Sequence, residues 1–473
     1  MSKLIQPRPA LAIAAVGAAL AGALAVAGTA SAAPHSGAAH VAVRAKLAGP
    51  NHARHVLGLR VGKRRGRLSA STFYNWPMFR AGATHYGVSS ETAISTVTAP
   101  SLASAWTAKL GSNSYTSPAV VTVGSPGRAL VFAGSGNSFY AYPASGGAPA
   151  WTYKAASGVI ETSPAVYSGV VYFGTTSGTL YAVNAATGAL ECSFSTTAPI
   201  LASPVVVNDP DGSGPVVYDG TIPGNGAASG AEWAVYGPGN KHGGCTQDWE
   251  FTGFQVSPGG TWSSPAYGTD SAGTPLLVFG SKDDDDSVYA LNASTGALVW
   301  RYRTNTAEYH DVGSAPVISP PGRNGFAGGV VYAVGKDKSV YAINLTTGTL
   351  IWKYALAAGT HGDVAGAALV NNRIYLGSDT GVYALDAVTG ALVWHVLSSA
   401  TFYASPVVTG PSGQQVLLIG DTTSTLYALN LATGGTVWSQ AFSTGFFASP
   451  AVSQGAVYTT GLDGVLRSYA PGS

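Results

Sequence analysis

The chain is short of charge, almost without sulfur, and free of long apolar runs beyond its N-terminal stretch. Charged residues make up 10% of its 473 residues, against roughly 25% in an average globular protein, which excludes long charged helices and coiled coils. After residue 70 no apolar run reaches the roughly 18 residues of a membrane helix. Acidic residues are missing from residues 1–70, which carry ten Lys and Arg. The remainder holds 14 basic against 22 acidic side chains, a formal charge of −8. Such a body repels nucleic-acid phosphates, so no nucleic-acid partner is expected.

Motifs of several chemistries are missing too. Cys192 and Cys245 are the only cysteines, and no CxxC or CxxCH occurs, so no haem is expected. His85, His242, His310, His361 and His395 show no HExxH or other zinc spacing, and no Gly-x-Ser-x-Gly or phosphate-binding Gly-Lys-Ser/Thr is present. The Asp283-Asp284-Asp285-Asp286 run lacks the alternation of an EF-hand loop. A hydrolase is therefore not expected.

What is present begins with a leader. Lys3 and Arg8 precede an apolar stretch from Ala10 to Gly28 and the small residues Ala30-Ser31-Ala32. That order predicts a secretory signal over 1–32, cleaved after Ala32, with an uncleaved anchor as the alternative. Residues 33–71 are basic, carry no acid, cannot build a core, and read as a disordered linker. The body is then extracytoplasmic, secreted or within the cell envelope, with no transmembrane span once the signal is removed. In that setting the two cysteines read as one bridge, worth roughly 4 kcal/mol on the chain-entropy account. Two buried thiols are the alternative.

From residue 72 onward the sequence repeats. Ala-x-Asn/Asp-x-x-Thr-Gly-x-x-x-Trp stands at 290–300, 342–352, 384–394 and 428–438, with degenerate copies at 141–151 and at 182–192, where Cys192 replaces the Trp. Each unit opens with Ser-Pro or a variant, at Ser117, Ser163, Ser203, Ser264, Ala315, Ala367, Ser405 and Ser449, with Ala368 standing for Pro in the sixth. Eight units at a mean spacing of about 47 residues predict an all-β, eight-bladed β-propeller of four-stranded antiparallel blades over 72–473. Pro marks the start of the inner strand, Thr-Gly the hairpin turn, and the Trp four residues on the blade interface. The eighth unit ends without a Trp strand, whereas Leu102-Ala103-Ser104-Ala105-Trp106 precedes the first unit, so the N-terminal strand is expected to complete the last blade.

Function in such a ring shows as departure from the repeat. Three residues before each inner-strand Pro, or before Ala368, the sequence reads Tyr115, Glu161, Leu201, Trp262, Gly313, Ala365, Tyr403 and Phe447, and Asp311 and Asp363 lie two residues earlier in units five and six. Aromatics and carboxylates thus converge on one mouth. They suit a flat or polyhydroxylated ligand, with rim packing and solvated acids as the alternative. The long third unit, Gly224 to Cys245, reads as a binding edge or as a decorated loop.

These repeats resemble the PQQ-repeat family, which includes quinoprotein alcohol dehydrogenases and a propeller lipoprotein of outer-membrane assembly. Trp76-Pro77-Met78-Phe79-Arg80 with Gly82 and Gly87 is similar to the family's leading segment. Against polyvinyl alcohol dehydrogenase-like members, Glu232 in Gly-Ala-Glu resembles a calcium-ligating residue and Asp283 a second ligand. The resemblance makes Trp262 in Gly-Gly-Thr-Trp the floor under PQQ, Asp311 in Asp-Val-Gly-Ser-Ala-Pro the catalytic base, and Lys336 in Gly-Lys the residue touching the quinone. It implies PQQ and Ca²⁺ as cofactors. The sequence departs from that pattern in having no adjacent cysteine pair. Two functions follow: a module that binds a small polyol, a glycan or a cell-envelope protein at its mouth, or a PQQ- and calcium-dependent alcohol dehydrogenase.

Overall fold

The computed structural model describes residues 75–472 apart from 197, 283, 305–310 and 358–364. The leader 1–71, Asp283 and Asp363 lie outside the described residues. Among the described residues the chain forms eight four-stranded antiparallel sheets in the order of a propeller. Blades 1 to 7 are each built from consecutive strands. Blade 8 takes its outer strand, Leu102–Lys109, from the N-terminal side, pairing it with Val465–Pro471. The ring is closed as the unpaired Trp strand predicts.

Each blade is locked to the next by the Trp of its outer strand. Trp106, Trp151, Trp249, Trp300, Trp352, Trp394 and Trp438 donate Nε1–H to the carbonyl of Ala144, Ala185, Ala293, Leu345, Ala387, Leu431 and Leu102 of the following blade, at 2.8–3.2 Å. The indoles of Trp151, Trp249, Trp300, Trp352 and Trp394 pack against the glycine of the neighbour's Thr-Gly turn. A Cβ on Gly348 would stand 2.7 Å from the Trp300 ring, and its φ of +69° adds a second reason for glycine. Between blades 2 and 3 the clasp is covalent: Cys192, in the Trp position, is bonded to Cys245 across a Cα–Cα distance of 5.9 Å.

A second ring lies further in. The backbone N–H of Ser405 donates to Ser449 Oγ, Ser449 to Ser117, Ser117 to Ser163, Ser163 to Ser203 and Ser203 to Ser264, at 2.8–3.0 Å. The Ser before each Pro thus supplies the acceptor for an N–H that the inner edge would otherwise leave unpaired.

In blade 6 the register differs from the repeat reading by one residue. Ala368 pairs with Tyr375 as Val317 pairs with Tyr332, and Leu369 N–H reaches the N-terminal segment as Ile318 does. Ala367 therefore takes the Pro position and Gly366 the Ser position. The rim site moves from Ala365 to residue 364, which lies outside the described residues, and Asp363 is no longer the counterpart of Asp311. The serine ring is consequently interrupted at two adjacent blades, by Ala315 and Gly366.

The N-terminal segment threads the inner strands. Trp76 pairs with Val120, and the carbonyls of Pro77, Ala83, Thr84, Tyr86 and Gly87 accept from Val166, Tyr267, Ile318, Leu369 and Val408, while Ser89 Oγ donates to Val452. These contacts fall two residues beyond the Pro position, about five residues or roughly 16 Å from the rim along a strand. The segment closes the channel at the end opposite the mouth.

Candidate functional site

The residues above this plug form a cavity of about 240 Å³ lined by Trp262 and Ser264 of blade 4, Asp311, Gly313, Ser314, Ala315 and Lys336 of blade 5, Gly366, Tyr403 and Ser405 of blades 6 and 7, and Phe79 of the plug. It is a blind pocket whose floor lies at the level of the serine ring.

Three expected residues meet here. Asp311 is fully buried. Its Oδ1 accepts from Gly313 N–H at 3.0 Å and its Oδ2 from Lys336 Nζ at 2.9 Å. The backbone reinforces this pair, because Lys336 N–H donates to the Asp311 carbonyl and Val312 N–H to that of Ser281 in blade 4. Lys336 Nζ stands 5.3 Å from the Trp262 ring centroid, in cation–π range. Glycine at 313 is required: a Cβ there would lie 2.4 Å from Trp262 Nε1. The arrangement offers an aromatic platform, a carboxylate and an ammonium within one cavity.

The aromatic rim continues beyond the cavity. Tyr403 stacks on Phe447 at 4.9 Å, and Phe447 meets Tyr115 edge-on at 5.7 Å, so blades 7, 8 and 1 present one run of rings. Glu161 and Leu201 sit half-buried at the rim of blades 2 and 3, and burial raises the Glu161 carboxyl above its usual range.

Of the two expected calcium ligands, Glu232 does not line this cavity, and Asp283 lies outside the described residues. Glu232, at the start of the third strand of blade 3, is fully buried, and neither carboxylate oxygen has a hydrogen-bond partner. Burial, and then the neighbouring Asp219, raise its pKa well above the ordinary carboxylate range. It does not line the pocket with Trp262 and Asp311. Among the described residues no group of three or more His, Cys, Asp or Glu is placed to hold a metal ion. The blade 3 loop leans toward blade 2, with Asn225 Nδ2 donating to the Thr176 carbonyl at 2.7 Å.

Phe79, Ser264, Gly366 and Ser405 line the cavity, and Arg80 lies beside its lining residues Ala315 and Gly366, although no motif names them as site residues. The signal was present in part. Arg80 is a lone charge in an apolar leading segment, and the fifth and sixth units are the two that depart from Ser-Pro.

The family model described as "Outer membrane protein assembly factor BamB" matches residues 90–229, 284–408 and 378–472. No curated protein matches the chain. Among solved structures, a europium-containing methanol dehydrogenase superposes with a TM-score of 0.68 at 15% identity, covering 84% of this chain and 98% of that one. The quinohemoprotein alcohol dehydrogenase of Comamonas testosteroni gives 0.68 at 15% identity, covering 84% of this chain and 81% of that one. BamB from Moraxella catarrhalis gives 0.57 at 20% identity, over 78% and 99%. At these identities the likeness to solved structures establishes the fold alone. The match of the family model over more than half of the sequence, together with the eight repeats, makes this chain a member of the PQQ-repeat β-propeller family that is described by BamB.

Proposed function

We propose that the chain is an extracytoplasmic binding module whose channel mouth holds a small ligand with a flat or polyhydroxylated face. The observation that carries this reading is the meeting of the Trp262 ring, the Asp311–Lys336 pair and Tyr403, from three blades, on one blind cavity. At about 240 Å³ the volume is below the 300–1,000 Å³ of drug-sized sites, which favours a small ligand or one end of a larger one. The disulfide and the family support a location outside the cytoplasm. The secretory signal over 1–32 and the basic linker over 33–71 are part of this proposal.

Titration of glucose, mannitol and glycerol, followed by tryptophan fluorescence and calorimetry, tests it. Saturable binding of any of these that is lost in Trp262→Ala supports the module. Absence of binding by all three, and by PQQ, overturns it.

A second reading, a PQQ-dependent alcohol dehydrogenase, is favoured by the convergence of Trp262, Asp311 and Lys336. The platform and the ammonium fit a flat anionic quinone, which would rest on Trp262 and meet Lys336. When bound, PQQ would supply the two-electron acceptor. Asp311 Oδ2 would hold the proton of an alcohol, and Lys336 would orient that carboxylate beforehand. The residues do not fit a calcium site equally well, because Glu232 does not line the cavity. Dye reduction with alcohols after reconstitution with PQQ and Ca²⁺, lost in Asp311→Asn, selects this reading. PQQ uptake without dye reduction selects the binding module.

A further inference from the structure

The gap in the serine ring is filled by a guanidinium. Arg80 projects from the plug between blades 5 and 6, is 1% exposed, and donates Nη1–H to the Ala315 carbonyl at 3.0 Å. A Cβ on Gly366 would lie 2.8 Å from Nη1, 3.0 Å from Ser405 Oγ and 3.1 Å from the Ala315 oxygen, so the glycine makes the space that the guanidinium occupies. Its Nε and Nη2 have no hydrogen-bond partner. Among the described residues no carboxylate pairs with it. Burial lowers its pKa to about 9, still charged at neutral pH. The backbone is bent to deliver it: Arg80 has φ 54° and Ala81 φ 72°, a left-handed conformation costly for non-glycine residues.

A buried, unpaired cation is unfavourable without a counter-charge, and Arg80 lies beside the cavity floor without itself lining the cavity. Ala315, Gly366 and Ser405, the residues around its guanidinium, line the candidate cavity, and Phe79 beside it forms part of the same floor. The other cation of the cavity, Lys336, is already bridged to Asp311. We infer that the ligand carries an oxyanion, a carboxylate or a phosphate, that is received at the cavity floor by the fork of Arg80 and the hydroxyl of Ser405. A guanidinium with two N–H directions open suits a two-oxygen acceptor better than a neutral hydroxyl. The inference rests on the reading of the mouth as a binding site and adds the charge class of what binds.

The test uses the full chain in chloride buffer and three probes: pyridine-2,6-dicarboxylate, the neutral pyridine-2,6-dicarboxamide, and inorganic phosphate. The wild type is expected to bind the dicarboxylate at least tenfold more tightly than the diamide. Arg80→Gln should remove that preference, bringing the dicarboxylate affinity down to that of the diamide. Arg80→Lys, which keeps the charge without the fork, should retain only part of it and serves if the glutamine variant does not fold. Phosphate binding that depends on Arg80 but not on Trp262 would identify a free oxyanion as the source. Dicarboxylate binding that depends on both would identify a ring-borne carboxylate. Equal affinity for dicarboxylate and diamide in the wild type, or no binding by either anion, overturns the inference. If both ring probes bind equally and are lost in Trp262→Ala, the mouth remains a binding site and only the role of Arg80 falls.

Discussion

Two arcs of the same ring are held together differently. From blade 7 through blades 8, 1, 2 and 3 to blade 4, each inner strand is tied to the next by a serine hydroxyl. At blades 5 and 6 that device is replaced by alanine, glycine and an arginine from the plug. The candidate cavity lies against the second arc. The repetition supplies closure many times over, so one sector can be released from it and turned to a ligand. The outer interfaces make no such exception, since all eight carry a clasp, seven aromatic and one covalent.

The largest effects should come from breaking a clasp. Trp300 is 8% exposed and its indole N–H is bonded into the next blade. Trp300→Ala should cost about 3–5 kcal/mol in urea unfolding, the usual cost of truncating a buried aromatic. Replacing both Cys192 and Cys245 by Ala should cost about 2–4 kcal/mol by the same measurement, which would place the covalent clasp beside the aromatic ones.

Next comes the contrast between the arcs. Ser163→Ala removes the acceptor of a buried N–H and should cost about 1–2 kcal/mol. Gly366→Ala, in the other arc, crowds Arg80 and should cost about 1–3 kcal/mol. Most of that cost should vanish when Arg80→Gln is already present. Equal costs of Gly366→Ala with and without Arg80, in a double-mutant cycle, would separate the glycine from the arginine.

The remaining contrast is between two titrations, and they run in opposite directions. His85 is buried in the plug, and burial and then the Arg80 charge push its pKa from 6.5 down to about 3. Its stabilising contribution is present above pH 6.5 and is lost as pH falls below that value. For Glu232 the folded pKa is raised above 4.5, so its contribution is present below that value and declines as pH rises through the raised one. Unfolding free energies measured from pH 4 to 8 should lose part of their acid-side slope in His85→Gln and part of their alkaline-side decline in Glu232→Gln.

Much of this was legible in the residues themselves. Thr-Gly turns, Trp spacing and Ser-Pro starts repeat often enough to fix eight blades, and the unmatched Trp106 strand announced how the ring closes. Cys192 in a Trp position marked the odd interface, although only the fold put Cys245 within bonding distance. In blade 6 the repeat alone sets the register one residue off, since Gly366-Ala367-Ala368 has no proline to anchor it and alanine satisfies either register. Trp262, Asp311 and Lys336 were recognisable by motif. Arg80 was visible as a residue but not as part of a site, because its meaning depends on a gap between strands more than 200 residues away in sequence.

The sequence by itself determined the architecture, because turn chemistry and strand alternation are local and are restated in every unit. Only the tertiary structure decided which departures from the repeat share a cavity and which, like Glu232, do not line it. Convergence on the central axis is a property of ring closure, and no single unit contains it.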